Sequence, residues 1–377
     1  MNVNEPLQLL GGLSPRTFMQ RHWQKKPLLI RQAIPGFQPP VDRSDLLDLA
    51  AQPEVQSRLI VQAAPDLARD WKFRHGPFPR RSLPPFKQPG WTLLVQGVDL
   101  HDERVHELMG QFRFVPDVRL DDVMISYASD GGGVGPHFDS YDVFLLQAHG
   151  RRHWRIGRQK DLRLQPNLPL KILANFEPEQ EFVLEPGDML YLPPRYAHDG
   201  IAQGPCMTYS IGFRSPSAGE LAREMLQGLA EQAVEQGGGR LYRDPGQSAV
   251  EHCAEIPDGI FEFAREALED ALRDPLAMRR ALGEYMSEPK ANVWFEPTEV
   301  GALAGRLTLD RRTRMVYDQH HIFVNGESFL ASGRDAQLMR CLADQRYLSA
   351  ADTKRLSTGA GALVWDWCAA GWMHADP

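Results

Sequence analysis

The chain has 377 residues, enough for roughly two or three domains. Its 42% hydrophobic and 24% charged residues are typical of a globular protein, and no apolar run is long enough to cross a bilayer, which argues against a membrane protein. The net charge of −7 argues against a general nucleic-acid binder, whose surface is normally basic. It does not exclude a basic protein partner, which an acidic surface would attract, and solubility alone explains the charge equally well.

The chain up to residue 120 is predicted to alternate short helices and strands. Ser14 followed by Pro15 predicts the start of a helix that runs to Trp23, because serine caps a helix and proline fits its first turn. Apolar periodicity and turn residues predict the elements that follow. These are strands over 25–30, 57–62 and 91–98, and helices over 42–51 and 102–112.

Residues 123–214 alternate short apolar stretches with turns, the pattern of a double-stranded β-helix. Within it, residues 130–136 read Asp-Gly-Gly-Gly-Val-Gly-Pro, which excludes regular helix or strand. We predict that this loop delivers His137 to the rim of a pocket. A phosphate-binding loop is the competing interpretation, but no Gly-Lys-Ser/Thr follows.

Three residues in this region have the chemistry of a metal site. His137 and Asp139 are two positions apart, so they would project to the same face of a strand. His198 follows a Pro-Gly-Asp turn, a short strand and a Pro-Pro corner. Two imidazoles and one carboxylate cover one face of a non-haem Fe(II) ion and leave the other positions open.

Arg152 is predicted to lie on an apolar face. A β-rich stretch over 140–147 is followed by a predicted turn at His149 and Gly150, which leads into a second strand over 151–157. Residues alternate along that strand, and Arg152 shares its face with Trp154 and Ile156. A buried guanidinium needs a partner, because an unpaired buried charge is costly. One interpretation is an internal Asp or Glu; the other is a bound dicarboxylate, which arginine holds through two hydrogen bonds.

After residue 215 the spacing of the apolar residues changes from that of strands to that of helices. Apolar residues recur at helical spacing over 221–229 and 261–272, with a glycine break at 237–239. From about residue 289, β-like stretches at 306–309 and 321–324, an Asn-Gly turn and helices near Asp335 and Ala350 predict a winged-helix-like domain. No basic recognition helix is visible, so a docking or structural role is favoured over direct nucleic-acid binding.

Several motifs resemble those of the JmjC and cupin-type 2-oxoglutarate oxygenases. They are Gly-Val-Gly-Pro-His-Phe-Asp at 133–139, Gly-Arg-Arg-His-Trp at 150–154, and Pro-Gly-Asp at 186–188 with His198. Together with segments 23–30 and 209–214, they are similar to the bacterial ribosomal oxygenases, which hydroxylate an arginine of large-subunit ribosomal protein sixteen at C3. From about residue 23 to residue 214 the resemblance lies in specific motifs. After residue 214 it lies only in the expected order of domains.

The resemblance implies an α+β fold with three parts. These are a double-stranded β-helix (cupin or jelly-roll) barrel with amino-terminal elements over 1–214, a helical dimerisation region over 215–288, and a winged-helix-like domain over 289–377. It also implies a homodimer. The scattered cysteines, without a Cys-x-x-Cys pair, and the lack of a secretion signal in residues 1–6 favour a cytoplasmic location.

The same resemblance assigns the ligands. His137, Asp139 and His198 would bind Fe(II), with 2-oxoglutarate and dioxygen as co-substrates. Arg152 would hold the distal carboxylate of 2-oxoglutarate.

Three further positions have roles implied only by the resemblance. Ser126 and Thr208 would contact the co-substrate, and Asp130 would pair with a substrate guanidinium. For Asp130, a turn-capping role is an equal alternative.

The predicted activity is therefore hydroxylation of an arginine in a basic ribosomal protein. One alternative is a metal-binding cupin without oxygenase activity, although such cupins commonly use more histidine ligands and have no need of a buried Arg152. Another is a JmjC oxygenase that acts on a histidine or methyl-lysine of another protein. A docking protein with a relic site is a third, and the intact triad argues against it.

Overall fold

The computed structural model describes residues 2–62, 71–237, 240–301, 303 and 305–375. The chain divides into two compact units, Met1–Ser215 and Pro216–Pro377. Across the described ranges, no helix is both long and apolar enough to cross a membrane. Two glycines of the predicted break at 237–239, Gly238 and Gly239, lie outside the described residues.

The first unit combines short helices with one large antiparallel sheet. Its helices are α1 (Pro15–Arg21), α2 (Arg43–Ala50) and α3 (Glu103–Gly110), and its strands are β1 (Leu28–Ile30), β2 (Ser57–Gln62), β3 (Trp71–His75), β4 (Trp91–Val95), β5 (Leu120–Ala128), β6 (Val143–Arg158), β7 (Gln180–Leu184), β8 (Met189–Leu192) and β9 (Tyr196–Phe213). The Ser14 hydroxyl accepts from the Thr17 amide and starts α1 as predicted. The sequence reasoning missed β3, and the predicted strands 25–30 and 91–98 are shorter than expected, Leu28–Ile30 and Trp91–Val95.

Two long strands give this unit its double-stranded β-helix. The sheet order is β1-β8-β6-β9-β5-β4-β2-β3, with β7 also beside β6. β6 and β9 pair along most of their lengths, while β8 pairs with the first half of β6 and β7 with its second half. The predicted fold class, an α+β chain with a cupin-type barrel, is confirmed.

The prediction of two strands separated by a turn at His149 and Gly150 was wrong. The segment is one continuous strand whose register with β9 shifts on both sides of His149. Gly150 has φ +63°, and a Cβ there would lie 2.2 Å from the carbonyl oxygen of Pro205. Glycine therefore lets β6 bend without leaving its partner strand.

Alternation along β6 separates two apolar clusters. Phe144 belongs to the cluster that also contains α1 residues, where its ring lies 5.4 Å from that of Phe18. Val143 and Trp154 belong to a second cluster with residues of β7 and β8. Burial of each such side chain contributes roughly 1.5–3 kcal/mol. These clusters fix β6, on which the candidate site depends.

The second unit contains helices and two small sheets. The helices are α4 (Ala218–Gly237), α5 (Asp258–Arg273), α6 (Pro275–Ser287), α7 (Gly333–Gln345), α8 (Ala350–Thr353) and α9 (Thr358–Ala369), and the strands are β10 (Leu307–Leu309), β11 (Met315–Tyr317), β12 (His321–Val324), β13 (Glu327–Leu330), β14 (Tyr347–Leu348) and β15 (Met373–Ala375). The sheets have the orders β14-β10-β15 and β11-β12-β13. Asn325 and Gly326, with φ of 50° and 91°, form the predicted turn between β12 and β13. The sequence reasoning did not anticipate α9 or the short strands β11, β13, β14 and β15.

Candidate metal centre

Two histidines face each other across an isolated β-bridge. The His137 amide donates to the His198 carbonyl at 3.0 Å, and the His198 amide donates back at 2.8 Å. Their ring centroids are 4.3 Å apart. His198 lies near the start of β9, but the prediction that His137 and Asp139 share a strand was wrong, because His137 is a single bridge residue and Asp139 follows it in irregular chain.

The ring nitrogens of both histidines are arranged for metal binding. His137 Nδ1 lies 2.9 Å from the Gly135 carbonyl oxygen, and His198 Nδ1 lies 3.0 Å from that of Tyr196. A carbonyl only accepts, so each Nδ1 carries the proton and each Nε2 keeps a free lone pair. This tautomer leaves the Nε2 atom of each ring available to bind a metal ion.

Asp139 completes the group. Its Oδ2 lies 3.7 Å from His198 Nε2, and one ligand atom from each of the three residues lies within 4.8 Å of the others. Burial lowers the pKa of His198, and the neighbouring His137 lowers it further against the opposing effect of Asp139. The His198 ring is therefore neutral at physiological pH, as a ligand must be.

The glycine-rich loop reaches this position by lying directly against backbone. A Cβ at Gly133 would be 2.7 Å from the carbonyl oxygen of Gly200 in β9, and one at Gly132 would be 2.5 Å from that of Trp91. The Arg195 amide then donates to the Asp139 carbonyl at 2.7 Å. The loop thus leads directly into the bridge residue His137, and the glycines allow its close approach to the neighbouring backbone.

Arg152 is buried without a partner for its charge. The residue is 6% exposed, and its Nε and Nη2 have no hydrogen-bond partner among the residues that the structure describes. No carboxylate of the described residues forms an ion pair with it, so the interpretation with an internal Asp or Glu finds no support there. A buried, unpaired guanidinium indicates a site for an external anion.

Trp154 connects Arg152 to the histidines. Arg152 Cζ lies 5.7 Å from the centroid of the Trp154 ring, and that ring lies 5.9 Å from the ring of His198. Arg152 and Trp154 are two residues apart on β6, so both project to the same face of the strand. Gly200 and His198 of β9 are the register partners of Trp154 and Ile156, so the guanidinium and the His198 ring lie on the same face of the sheet, with the Trp154 ring close to both.

Ser126 and Thr208 are brought together in the sheet. They are register partners on β5 and β9, and Thr208 is also paired with Gln147 of β6. The Ser126 hydroxyl donates to the Thr208 carbonyl at 3.4 Å, and the Thr208 hydroxyl donates to Gln147 Oε1 at 3.1 Å. Gln147 is fully buried, and sequence reasoning missed it although an amide inside an apolar strand is a usable signal.

Asp130 lies exposed beside the loop that carries His137. Its Oδ1 accepts at 2.7 Å from the amide of Gly204, which lies 74 positions away in β9, so this bond is not a cap of the turn that contains Asp130. This bond fixes the carboxylate and occupies one of its oxygens. The substrate role of Asp130 stays a prediction.

Two family models match the chain, a JmjC domain over residues 107–221 and a ROXA-like winged helix over residues 268–374. The chain is 36% identical over 286 residues to a protein of Escherichia coli (strain K12) named ribosomal protein uL16 3-hydroxylase, covering 75% of this chain and 74% of that protein. The chain belongs to the ribosomal oxygenase family.

Further relatives agree with that membership. A probable ribosomal oxygenase of Haemophilus influenzae is 35% identical over 223 residues, which are 58% of this chain and 54% of that protein. The solved structure of the Escherichia coli ribosomal oxygenase YcfD, in complex with cobalt and 2-oxoglutarate, superposes with a TM-score of 0.77 at 30% identity. That match covers 96% of this ribosomal oxygenase and 98% of the solved chain, and it confirms the predicted family.

Proposed function

We propose that this ribosomal oxygenase is an Fe(II)- and 2-oxoglutarate-dependent hydroxylase that modifies an arginine side chain of ribosomal protein uL16 at C3. The observation that carries the proposal is the buried Arg152 guanidinium, unpaired among the described residues, on the same sheet face as His198 of the cluster of two histidines and one aspartate. A metal-binding cupin without a dicarboxylate co-substrate has no use for such a charge. The relatives support the reaction class, since one is named a uL16 3-hydroxylase and another was solved with 2-oxoglutarate.

His137, Asp139 and His198 would hold the iron. Two neutral imidazoles and one carboxylate offset half of the charge of Fe(II) and leave positions for co-substrates. When bound, iron with 2-oxoglutarate and dioxygen supplies the hydroxylation of an unactivated C–H bond, with release of succinate and carbon dioxide. The protein then needs no general acid or base, and its contribution is to orient the reactants and to exclude water.

Arg152 would bind the far carboxylate of 2-oxoglutarate. A guanidinium donates two parallel hydrogen bonds to a carboxylate, which fixes both its position and its direction. Ser126 and Thr208 would present hydroxyls along the same co-substrate, with Gln147 holding the Thr208 hydroxyl in place. Asp130 would offer its second carboxylate oxygen to the substrate guanidinium.

The substrate is a basic protein, and this chain carries a net charge of −7. Opposite net charges raise the encounter rate of two proteins and favour this class of partner over acidic ones. We place the reaction in the cytoplasm, where ribosomal proteins are assembled, and we assign no direct nucleic-acid binding to the chain.

The enzyme would act as a homodimer through its helical region. The predicted division into 1–214, 215–288 and 289–377 assigns dimerisation to the middle part, which contains α4, α5 and α6. On α5, Phe261 is 63% exposed and Leu268 is 54% exposed, although the helix is strongly amphipathic in sequence. Such an uncovered apolar face is typical of a protein–protein interface. Phe261→Asp should convert the dimer to a monomer in sedimentation velocity, whereas the exposed control Glu262→Gln should leave it unchanged.

Mass spectrometry of ribosomal proteins tests the function. Cells that contain this chain should carry uL16 with a single-oxygen mass increase on one arginine, and cells without it should not. Restoration of the modification by the wild-type gene, but not by a His137→Ala variant, links it to the candidate metal centre. An oxygen added to a histidine, or loss of methyl groups from a lysine, would instead favour the corresponding alternative activity.

A further inference from the structure

Each histidine of the metal centre is held by an acceptor two residues away along the chain. His137 Nδ1 lies 2.9 Å from the Gly135 carbonyl oxygen, and His198 Nδ1 lies 3.0 Å from that of Tyr196. These outer bonds fix the direction in which each Nε2 points. A carboxylate ligand is normally held by an outer hydrogen bond as well, so the third ligand, Asp139, is expected to have a donor of its own.

The main chain around Asp139 is fixed at both ends of a short irregular segment, residues 139–142. At one end, the Asp139 carbonyl accepts from the Arg195 amide at 2.7 Å. At the other end, Asp142 is completely buried and its carboxylate accepts from the Tyr191 hydroxyl at 2.6 Å. These bonds hold the backbone of the segment, and the remaining freedom lies in the side-chain torsions of Asp139.

Tyr141 offers a donor to that side chain from within the same segment. Its hydroxyl lies within hydrogen-bonding reach of the Asp139 carboxylate. A tyrosine hydroxyl keeps its proton at neutral pH and donates, whereas a carboxylate only accepts. Asp139 Oδ2 lies 3.7 Å from the ligand atom His198 Nε2. Because a carboxylate has two oxygens, it can bind a metal through one and accept from a hydroxyl through the other.

The Tyr141 ring lies partly in solvent beside the metal centre. The residue is 39% exposed, and its hydroxyl is also near enough to Asp122 and Arg58 for their charges to act on it. Replacement of a partly exposed tyrosine by phenylalanine removes one hydroxyl and little packing, so the role of the hydroxyl can be tested by itself. Contact with the substrate is the competing role for an exposed ring at this place.

We propose that Tyr141 is a positioning residue for the metal ligand Asp139. The Tyr141 hydroxyl donates to the carboxylate and keeps it turned toward the two histidines, so that the three ligands are arranged before a metal ion binds. The proposal rests on the metal centre of the proposed function. It concerns metal affinity, however, and this can be measured without uL16 or 2-oxoglutarate.

Titration of the full-length protein with Co(II) tests the proposal. Co(II) alone is the probe, because a relative was solved with cobalt, and its visible absorption reports on the ligands. Loss of an outer partner typically costs about 10- to 100-fold in metal affinity. The main chain of Asp139 is fixed independently, so Tyr141→Phe should weaken Co(II) binding by about tenfold. Ser140→Ala is the matched control, because it removes an exposed hydroxyl from the same segment, and it should bind Co(II) like wild type.

A double-mutant cycle shows whether Tyr141 acts through Asp139. Asp139→Ala removes the carboxylate and leaves the two histidines to bind Co(II). Addition of Tyr141→Phe to this variant should change the Co(II) affinity by less than about twofold, because the group that the hydroxyl holds is already absent. Excess Fe(II) should restore succinate formation by the single variant Tyr141→Phe, since its defect lies in metal affinity. Thermal unfolding of the metal-free variants checks that each is folded.

An unchanged Co(II) affinity of Tyr141→Phe would overturn the proposal, and a raised KM for a uL16 peptide in the same variant would make Tyr141 a substrate contact instead. A loss of equal size in the wild-type and Asp139→Ala backgrounds would also overturn it, because Tyr141 would then act on the fold and not on the ligand. Failure of the proposed function gives a different result. In that case the wild-type protein binds Co(II), His137→Ala does not, and uL16 gains no oxygen.

Discussion

Replacement of Arg152 by methionine should have opposite effects on the free protein and on its affinity for 2-oxoglutarate. In the free protein the guanidinium is buried with two nitrogens unsatisfied. An unsatisfied buried polar group costs about 1–3 kcal/mol, and replacing a buried charge by an apolar side chain of similar size is neutral or stabilising. The free Arg152→Met protein should therefore be about 1–3 kcal/mol more stable than wild type.

Binding of 2-oxoglutarate should change in the other direction. Removal of one partner from a buried, hydrogen-bonded charge pair costs about 2–5 kcal/mol, and each 1.4 kcal/mol is tenfold in affinity. The co-substrate would still be attached to the metal ion, so the lower part of that range applies. We expect the 2-oxoglutarate concentration for half-maximal succinate formation to rise roughly thirty- to hundredfold.

The assays are thermal unfolding of the metal-free protein and succinate formation at varied 2-oxoglutarate. Arg151→Met is the matched control, because Arg151 is the exposed neighbour on the opposite face of β6. It should leave both measurements unchanged. Suppose that Arg152→Met lowers the free energy of unfolding by as much as it lowers the binding free energy of 2-oxoglutarate. Arg152 would then have an ordinary structural partner, and its assignment as a binding residue would be refuted.

Two further predictions concern the metal centre and the second unit. His137→Ala should abolish succinate formation and Fe(II) binding. His153→Ala is the control, because His153 is bonded to a surface glutamate, and it should retain both. Full activity of the His137→Ala variant would show that His137 is not a metal ligand. Burial alone would raise the pKa of Asp310, but hydrogen bonds from Arg312 and His374 outweigh it and lower the pKa to about 2. A carboxyl whose folded pKa is depressed stabilises the protein above its unfolded pKa, and this is lost as pH falls through the folded value. Asp310→Asn should therefore cost about 2 kcal/mol at pH 7, and the difference from wild type in unfolding experiments should shrink between about pH 4 and pH 2; a constant difference would contradict the assignment.

The metal centre could be predicted from sequence because its chemistry is local. Three residues of two types with known ligand preference, one glycine-rich loop and one Pro-Gly-Asp turn can all be recognised in the sequence. The geometry that joins them was described wrongly, since the backbone around His137 and Asp139 is a single bridge and a loop rather than a strand. The site still forms because other backbone hydrogen bonds hold this segment in place of a strand's regular ladder. They are the two bonds between His137 and His198 and the bond from the Arg195 amide to the Asp139 carbonyl.

Arg152 shows where the sequence stops being sufficient. Alternation along β6 places the guanidinium on a buried face, but alternation does not say what lies opposite. A carboxylate from any other strand would have produced the same pattern and a purely structural residue. Only the contacts decide between the two interpretations, and they leave Nε and Nη2 unpaired.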